Sequence, residues 1–140
     1  MLIVASTADR IFTSNVNSDT ITVLDRAEGN DVSAWKMTHI PVGRGPEGFD
    51  VSPDGKELWA ANSQDGSVSI VDVASRRVVQ TLTVNTKRSN RLKFTPDGKR
   101  VLVSDLGTGD LVVLDAAGRT LFDSQIVVSA GEGAMPPATV

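Results

Sequence analysis

The chain has 140 residues, 40% of them hydrophobic, which is enough for one globular domain with its own core. Its formal net charge of −3 argues against a nucleic-acid groove or an anionic membrane as partner, and no apolar run reaches the roughly 18 residues of a membrane span. The sequence contains no cysteine and one histidine, which excludes disulfides, thiolate metal sites and reactions that need two imidazoles from this chain.

Short segments rich in β-branched residues, separated by Gly, Asp, Asn or Pro, follow one another along the chain. β-branched side chains suit a pleated surface, and this punctuation is typical of short antiparallel strands. In the first unit, residues 1–42, the expected strands lie near 2–4, 11–15, 20–25 and 36–40. A longer turn at 28–35 precedes the last of them. The sequence predicts an all-β fold.

The second unit, residues 43–85, has four predicted strands, which we label a to d. These strands lie at 48–52, 57–62, 67–73 and 78–84. Strands a and b are joined by Pro53-Asp54-Gly55-Lys56, in which proline fixes φ and Gly55 supplies the positive φ of a tight hairpin. Strand c is apolar on both of its faces, so the sheet must be covered on both sides.

The third unit, residues 86–130, repeats the second 43 positions later, with Asp97 matching Asp54 and Gly98 matching Gly55. Residues 131–140 are either the start of a fourth unit or a tail. Repeated four-stranded units covered on both faces are typical of β-propeller blades stacked around an axis. We therefore predict three consecutive blades of a larger ring of about seven blades, since propellers close with about 4–8.

The repeat resembles the YVTN-type β-propeller repeat of YncE-like proteins. The resemblance rests on the Pro-Asp-Gly-Lys turn, the Gly-x-Val-x-Ile-Val-Asp pattern of strand c, and the last four residues of strand b. Those last four residues are Phe12-Thr13-Ser14-Asn15, Trp59-Ala60-Ala61-Asn62 and Leu102-Val103-Ser104-Asp105. The third copy lacks both the aromatic residue and the asparagine. The resemblance implies export to the periplasm or the cell exterior, which no residue of the chain itself indicates.

Four cations occupy the d–a loops, namely Arg44, Lys87, Arg88 and Arg91. Because d–a and b–c loops share one face of a propeller, we expect these cations to meet there and bind a carboxylate or phosphate group. No aromatic residues alternate with them, so a stacking platform for single-stranded nucleic acid is not indicated. The alternative is a solvated basic loop that faces acidic b–c turns. The acidic residues of those turns are Asp19, Asp65 and Asp110.

Three aspartates, Asp25, Asp72 and Asp115, recur at the end of strand c and could form a ligand set. Their recurrence in every unit favours a structural role, in which each caps its own c–d turn by accepting backbone N–H bonds. The single histidine, His39, lies on an outer strand, where a surface residue is more common than a haem or metal ligand. We expect no metal site and no cofactor.

The sequence favours a non-catalytic binding or scaffold module, with an unknown protein or a small anionic ligand on the d–a/b–c face. One alternative is part of a lactonase-like propeller hydrolase, which would need carboxylates and histidines converging on the axis. Another is part of a haem- or quinone-linked redox propeller, for which the chain offers only His39. Three blades leave two outer faces uncovered, so we also expect self-association or further blades to cover them.

Overall fold

The computed structural model describes residues 4–6 and 9–126, which contain twelve strands in three groups. The first group is β1 (Val4–Ser6), β2 (Arg10–Asn15), β3 (Thr20–Asp25) and β4 (Lys36–Pro41). The second is β5 (Pro46–Val51), β6 (Glu57–Asn62), β7 (Ser67–Asp72) and β8 (Arg77–Thr83). The third is β9 (Ser89–Phe94), β10 (Arg100–Asp105), β11 (Leu111–Asp115) and β12 (Thr120–Ile126).

Each group forms one antiparallel sheet in chain order, which confirms the predicted all-β fold of three propeller blades. Strand β5 begins at Pro46, two residues before the strand predicted at 48–52, because Pro46 already pairs with Asn62 across a register shift. Residues 131–140, predicted as the start of a fourth blade or a tail, lie outside the described residues.

The predicted longer turn between β3 and β4 contains a short 3-10 segment, Val32–Ala34. Asp31 caps it, because its carboxylate accepts hydrogen bonds from the Ser33 N–H at 2.9 Å and the Ser33 hydroxyl at 2.7 Å. These bonds lower the pKa of Asp31. Within residues 4–6 and 9–126, no helix has the length and apolar character needed to cross a lipid bilayer.

The middle blade is buried on both faces. Side chains alternate along β6 and β7, so Trp59 and Ile70 face the third blade while Leu58 and Val71 face the first. All four side chains are at most 1% exposed. Trp59 also packs edge-to-face on Phe94 with ring centroids 5.6 Å apart, a contact worth about 0.5–1.5 kcal/mol beyond its buried area. Two apolar junctions therefore hold the three blades together.

The strands β5 and β9 approach each other most closely at Gly48. A Cβ atom on Gly48 would lie 2.6 Å from both the Arg91 Cα and the Asn90 carbonyl oxygen, so no larger residue fits. Beside this contact, Glu47 Oε1 accepts a hydrogen bond from Asn90 Nδ2 at 2.6 Å. Backbone contact and a polar bond together fix how the third blade sits on the second.

Two equivalent hairpins join strands a and b in the second and third blades. Gly55 and Gly98 have φ angles of 73° and 70°, in the left-handed region that favours glycine. In the first hairpin, Asp54 accepts hydrogen bonds from the Ser52 hydroxyl at 2.6 Å and from the N–H two residues on at 3.0 Å. Asp97 makes the same pair of bonds, and in both hairpins they lower the pKa of the aspartate.

Candidate functional site

The d–a links and the b–c turns lie along one edge of the stacked blades. We name this edge the link face and define it by the links 42–45 and 84–88 and the turns 16–19, 63–66 and 106–110. It is the edge on which the sequence places the predicted ligand. Hydrogen bonds between links and turns determine which charged side chains of this face are engaged within the protein and which are exposed.

Acidic turn residues hold the first link by its backbone. Asp65 Oδ2 accepts a hydrogen bond from the Arg44 N–H at 2.8 Å, and Asp19 Oδ1 accepts one from the Gly45 N–H at 2.8 Å. The alternative interpretation of the sequence is a solvated basic loop whose cationic side chains face these acidic turns. The structure instead shows these two carboxylates bound to main-chain N–H groups, with the Arg44 side chain exposed.

A buried carboxylate holds the second link in the same way. Asp105, which is 4% exposed, accepts hydrogen bonds from the Lys87 and Arg88 N–H groups, both at 2.8 Å, and from Gly107 N–H at 2.8 Å. Burial opposes the ionisation of Asp105, but these N–H bonds outweigh it and lower its pKa. The backbone of the second link is therefore fixed on an ionised group.

The side chains of Arg44, Lys87 and Arg88 are exposed on these ordered links. The ion pairs formed within the described part of the chain involve none of the three. Those pairs are Arg10–Asp25, Arg76–Asp25, Lys93–Asp50, Arg100–Asp115 and Arg119–Glu57. The link face thus carries three cationic side chains that no carboxylate among residues 9–121 neutralises by direct contact.

Arg91 lies in β9 and not in the loop to which the sequence assigns it. Pairing of β9 with β10 already begins at Ser89, so the second link ends at Arg88, three residues before Arg91. Arg91 is the cross-strand partner of Ser104, and its guanidinium donates to the Asn90 carbonyl at 3.2 Å. The structure therefore places three of the four predicted cations on the links and the fourth on the adjoining strand.

The aspartates at the end of strand c differ from one another. Asp72 accepts a hydrogen bond from the Ser75 N–H at 2.8 Å, and Asp115 accepts one from the Gly118 N–H at 2.7 Å, which is the geometry of a turn cap. Hydrogen bonds from Ser75 lower the pKa of Asp72. These two carboxylates are each engaged with the turn that follows them.

Asp25 instead forms an ion-pair junction between blades, which the sequence reasoning missed. Its carboxylate pairs with Arg10 at 2.9 Å within the first blade and with Arg76 from the second blade. Burial opposes the ionisation of Asp25, but hydrogen bonds from the two arginines outweigh it and lower its pKa. The sequence shows only that arginine recurs at this repeat position, as Arg76 and Arg119. In the structure Arg119 likewise pairs with Glu57 of the preceding blade.

His39 lies on the exposed face of the first blade, where its Nδ1 is 2.8 Å from the Thr22 hydroxyl. Among the side chains that the structure describes, no group of three or more His, Asp or Glu could hold a metal ion. The charged features of the described chain are therefore the link cations and the ion pairs between blades.

Known proteins resemble this chain in sequence and in fold. Hydrazine synthase subunit beta of Kuenenia stuttgartiensis is 32% identical over 90 residues, which cover 60% of this chain and 23% of that protein. The solved Kuenenia stuttgartiensis hydrazine synthase superposes with a TM-score of 0.71 at 27% identity, over 81% of this chain and 31% of the solved chain. No known family profile matches the chain.

Two further solved propellers resemble it. A putative 6-phosphogluconolactonase from Bacteroides fragilis has a TM-score of 0.72 at 22% identity, over 91% of this chain and 38% of that one. The dihydro-heme d1 dehydrogenase NirN has a TM-score of 0.67 at 25% identity, over 85% of this chain and 24% of that one. The lactonase-like match concerns the fold alone. In every case this chain spans a minor part of the length of the protein it resembles.

Proposed function

We propose that the chain is part of a β-propeller that acts as a non-catalytic binding or scaffold module, and that its link face binds an anionic ligand. The ligand class is a carboxylate or phosphate group, held by Arg44, Lys87 and Arg88 with Arg91 beside them. One observation carries this proposal. The three link cations are exposed and outside every ion pair of the described chain, while carboxylates fix the backbone from which they extend.

Two properties of the link face favour anion binding. The backbone of the second link is already ordered on Asp105, so little backbone conformational entropy is lost when a ligand binds. An arginine guanidinium also offers a planar fork of donors that matches carboxylate and phosphate oxygens, and lysine adds a point charge. Coulomb attraction scales with the charge of the ligand, so the three cations favour a doubly charged phosphate over a singly charged carboxylate. The nearby carboxylates of Asp65 and Asp105 weaken the binding of both ligands.

Calorimetric titration of the full chain with inorganic phosphate tests the proposal. We expect the parent to bind at low salt and the triple variant Arg44→Ala, Lys87→Ala, Arg88→Ala to lose about tenfold or more in affinity. Binding should also weaken with added salt, because the Debye length is about 10 Å at 0.1 M.

A matched control removes the same charge from the opposite edge of the blades. Its substitutions are Lys56→Ala, Arg77→Ala and Lys99→Ala, at exposed residues outside the ion pairs of the described region. The control should keep the parent's affinity. Absence of phosphate binding by the parent, or equal losses in both triple variants, contradicts the proposal.

A second candidate function is that of a subunit within a redox enzyme. It is supported by the 32% identity to hydrazine synthase subunit beta. Haem titration of the full chain, followed by absorbance, separates the two. A stoichiometric spectral change that His39→Ala removes favours the redox role, and an unchanged spectrum favours the binding module. The resemblance of the repeat to YVTN-type propellers is compatible with either role and stays a prediction.

A further inference from the structure

We propose that the b–c turn of the first blade is a docking site for a glycine-containing link, and that its occupant is Gly131-Glu132-Gly133 of a second copy of this chain. The second and third blades each bind the link that precedes them, and the first blade repeats the same receptor groups. This inference does not depend on anion binding by the link face.

Backbone hydrogen bonds join each link to the turn of the next blade. In the second blade, the Ser63 N–H donates to the Gly45 carbonyl at 2.8 Å. In the third blade, the Leu106 N–H donates to the Arg88 carbonyl at 2.9 Å. The first residue of the b–c turn is therefore the donor to an incoming link carbonyl at both junctions.

Side chains of the second blade complete the receptor. Asn62 Nδ2 donates to the hydroxyls of Ser67 and Ser69 at 2.8 and 2.9 Å, and Ser69 Oγ accepts a hydrogen bond from the Gly43 N–H at 3.1 Å. A Cβ atom on Gly43 would lie 2.3 Å from Asn62 Nδ2. A larger residue at this link position would therefore displace the Asn62 amide from its two serines, so the asparagine receptor favours a link that has glycine.

The first blade repeats this receptor on its outer face. Asn15 Nδ2 donates to the hydroxyls of Thr20 and Thr22 at 3.0 and 2.7 Å, as Asn62 does to two serines. Val16 is the first residue of the turn, and its N–H has no acceptor among residues 4–6 and 9–126. Asn15, Thr20 and Thr22 line an open cleft together with His39. A receptor that is buried in the second blade thus faces solvent in the first.

The sequence identifies the segment that fits. The pattern Gly-x-Gly occurs three times, at 43–45, 107–109 and 131–133. The first is already docked on the second blade, and the second belongs to the b–c turn of the third blade. Residues 131–133 follow β12 along the chain as 43–45 follow β4. By position and composition they are the link that matches an asparagine receptor.

A second copy must supply this segment to the first blade. The first and third blades pack on opposite faces of the second, so the end of β12 and the Asn15 cleft lie at opposite ends of the stack. Docking in this direction places the outer face of one copy's third blade against the outer face of the other copy's first blade. Such a head-to-tail contact closes as a ring of two copies or continues as a filament.

Cross-linking between two single-cysteine variants tests the docking, because the natural chain contains no cysteine. A tagged Met37→Cys variant, altered beside the cleft at a residue that is 58% exposed, is mixed with Glu132→Cys and treated with a short bismaleimide. The control uses a tagged Val79→Cys variant in place of Met37→Cys. Val79 is 53% exposed and lies on the outer strand of the second blade. We expect the tagged heterodimer from the Met37 pair in clear excess. Equal yields, or no heterodimer, would overturn the proposal.

Substitutions on the two partners add a second measurement. Thr22→Val removes the acceptor for the incoming N–H and should raise the dissociation constant of self-association about tenfold. Thr38→Val, on the opposite face of the neighbouring strand, is its control. The double variant Gly131→Val, Gly133→Val changes only the docking segment and should weaken association as well, whereas Glu132→Ala should not. Unchanged association in the glycine variant would contradict the inference even where Thr22→Val fails to fold.

Discussion

At the scale of single residues, aspartates connect backbone segments more often than they pair with cations. Asp54 and Asp97 close hairpins, Asp65 and Asp105 hold links, and Asp72 caps a turn. Each of them accepts a hydrogen bond from a main-chain N–H. These aspartates therefore stabilise the backbone, although their sequence positions suggest exposed surface charges. The cationic side chains near them are not paired with these carboxylates and can contact a ligand.

Backbone strain at Gly55 gives the first residue-scale prediction. Its φ is 73°, and a Cβ atom there would meet nothing within 4 Å, so replacement costs conformational strain without a steric clash. We expect Gly55→Val to lower the free energy of unfolding by more than about 1 kcal/mol. Gly55→Asn should cost less, since asparagine tolerates positive φ. Urea denaturation measures both, and coincident midpoints for the parent and the valine variant contradict the prediction.

The lowered pKa of Asp25 makes stability depend on pH. Because its pKa lies below the ordinary value of 3.8, the ionised form stabilises the fold above that value. This contribution is lost as the pH falls through the folded-state pKa. We expect the difference in unfolding free energy between the parent and Asp25→Asn to shrink as the pH is lowered from 6 past about 4. Asp110→Asn removes the same charge elsewhere. A difference that stays constant with pH, or that Asp110→Asn reproduces, argues against the ion-pair junction.

At the scale of elements, the junction between blades depends on close contact of β5 and β9. Gly48→Ala would place a Cβ atom 2.6 Å from the backbone of Arg91, so the strands must separate. We expect a loss of about 1–3 kcal/mol of unfolding free energy, the usual cost of overpacking. Gly29→Ala is the control, since its Cβ would meet nothing within 4 Å and only its φ of 87° is unfavourable. An unchanged free energy of unfolding in Gly48→Ala would show that the strands can move apart freely.

Local elements were predictable from the sequence and contacts between blades were not. The Pro-Asp-Gly-Lys hairpin is specified within four residues, so its glycine could be placed from the sequence alone. Arg76 and Asp25 are 51 residues apart, and Arg119 and Glu57 are 62 apart, so their pairing depends on how the blades pack. The link cations could be predicted as a group because they share the d–a loops. The bonds from nearby carboxylates to main-chain N–H groups could not, because they join residues from separate loops.

At the scale of the whole molecule, both ends of the stack repeat groups that are used inside it. Asn15 repeats the receptor built on Asn62. At the other end, Asp115 pairs with Arg100 at 2.8 Å, and these two residues occupy the repeat positions of Asp25 and Arg10. In the first blade Asp25 also binds Arg76 of the next blade. Both outer faces therefore carry the chemistry of a blade junction. We predict that another blade surface covers them.

Sedimentation equilibrium of the full chain over a range of concentrations tests this central claim most directly. Uncovered junction faces predict reversible self-association, and a melting temperature that rises with concentration because association stabilises the folded state by mass action. Thr22→Val should shift the association to higher concentration, and Thr38→Val should not. A monomer at micromolar concentration whose sharp melting transition is independent of concentration would contradict the account.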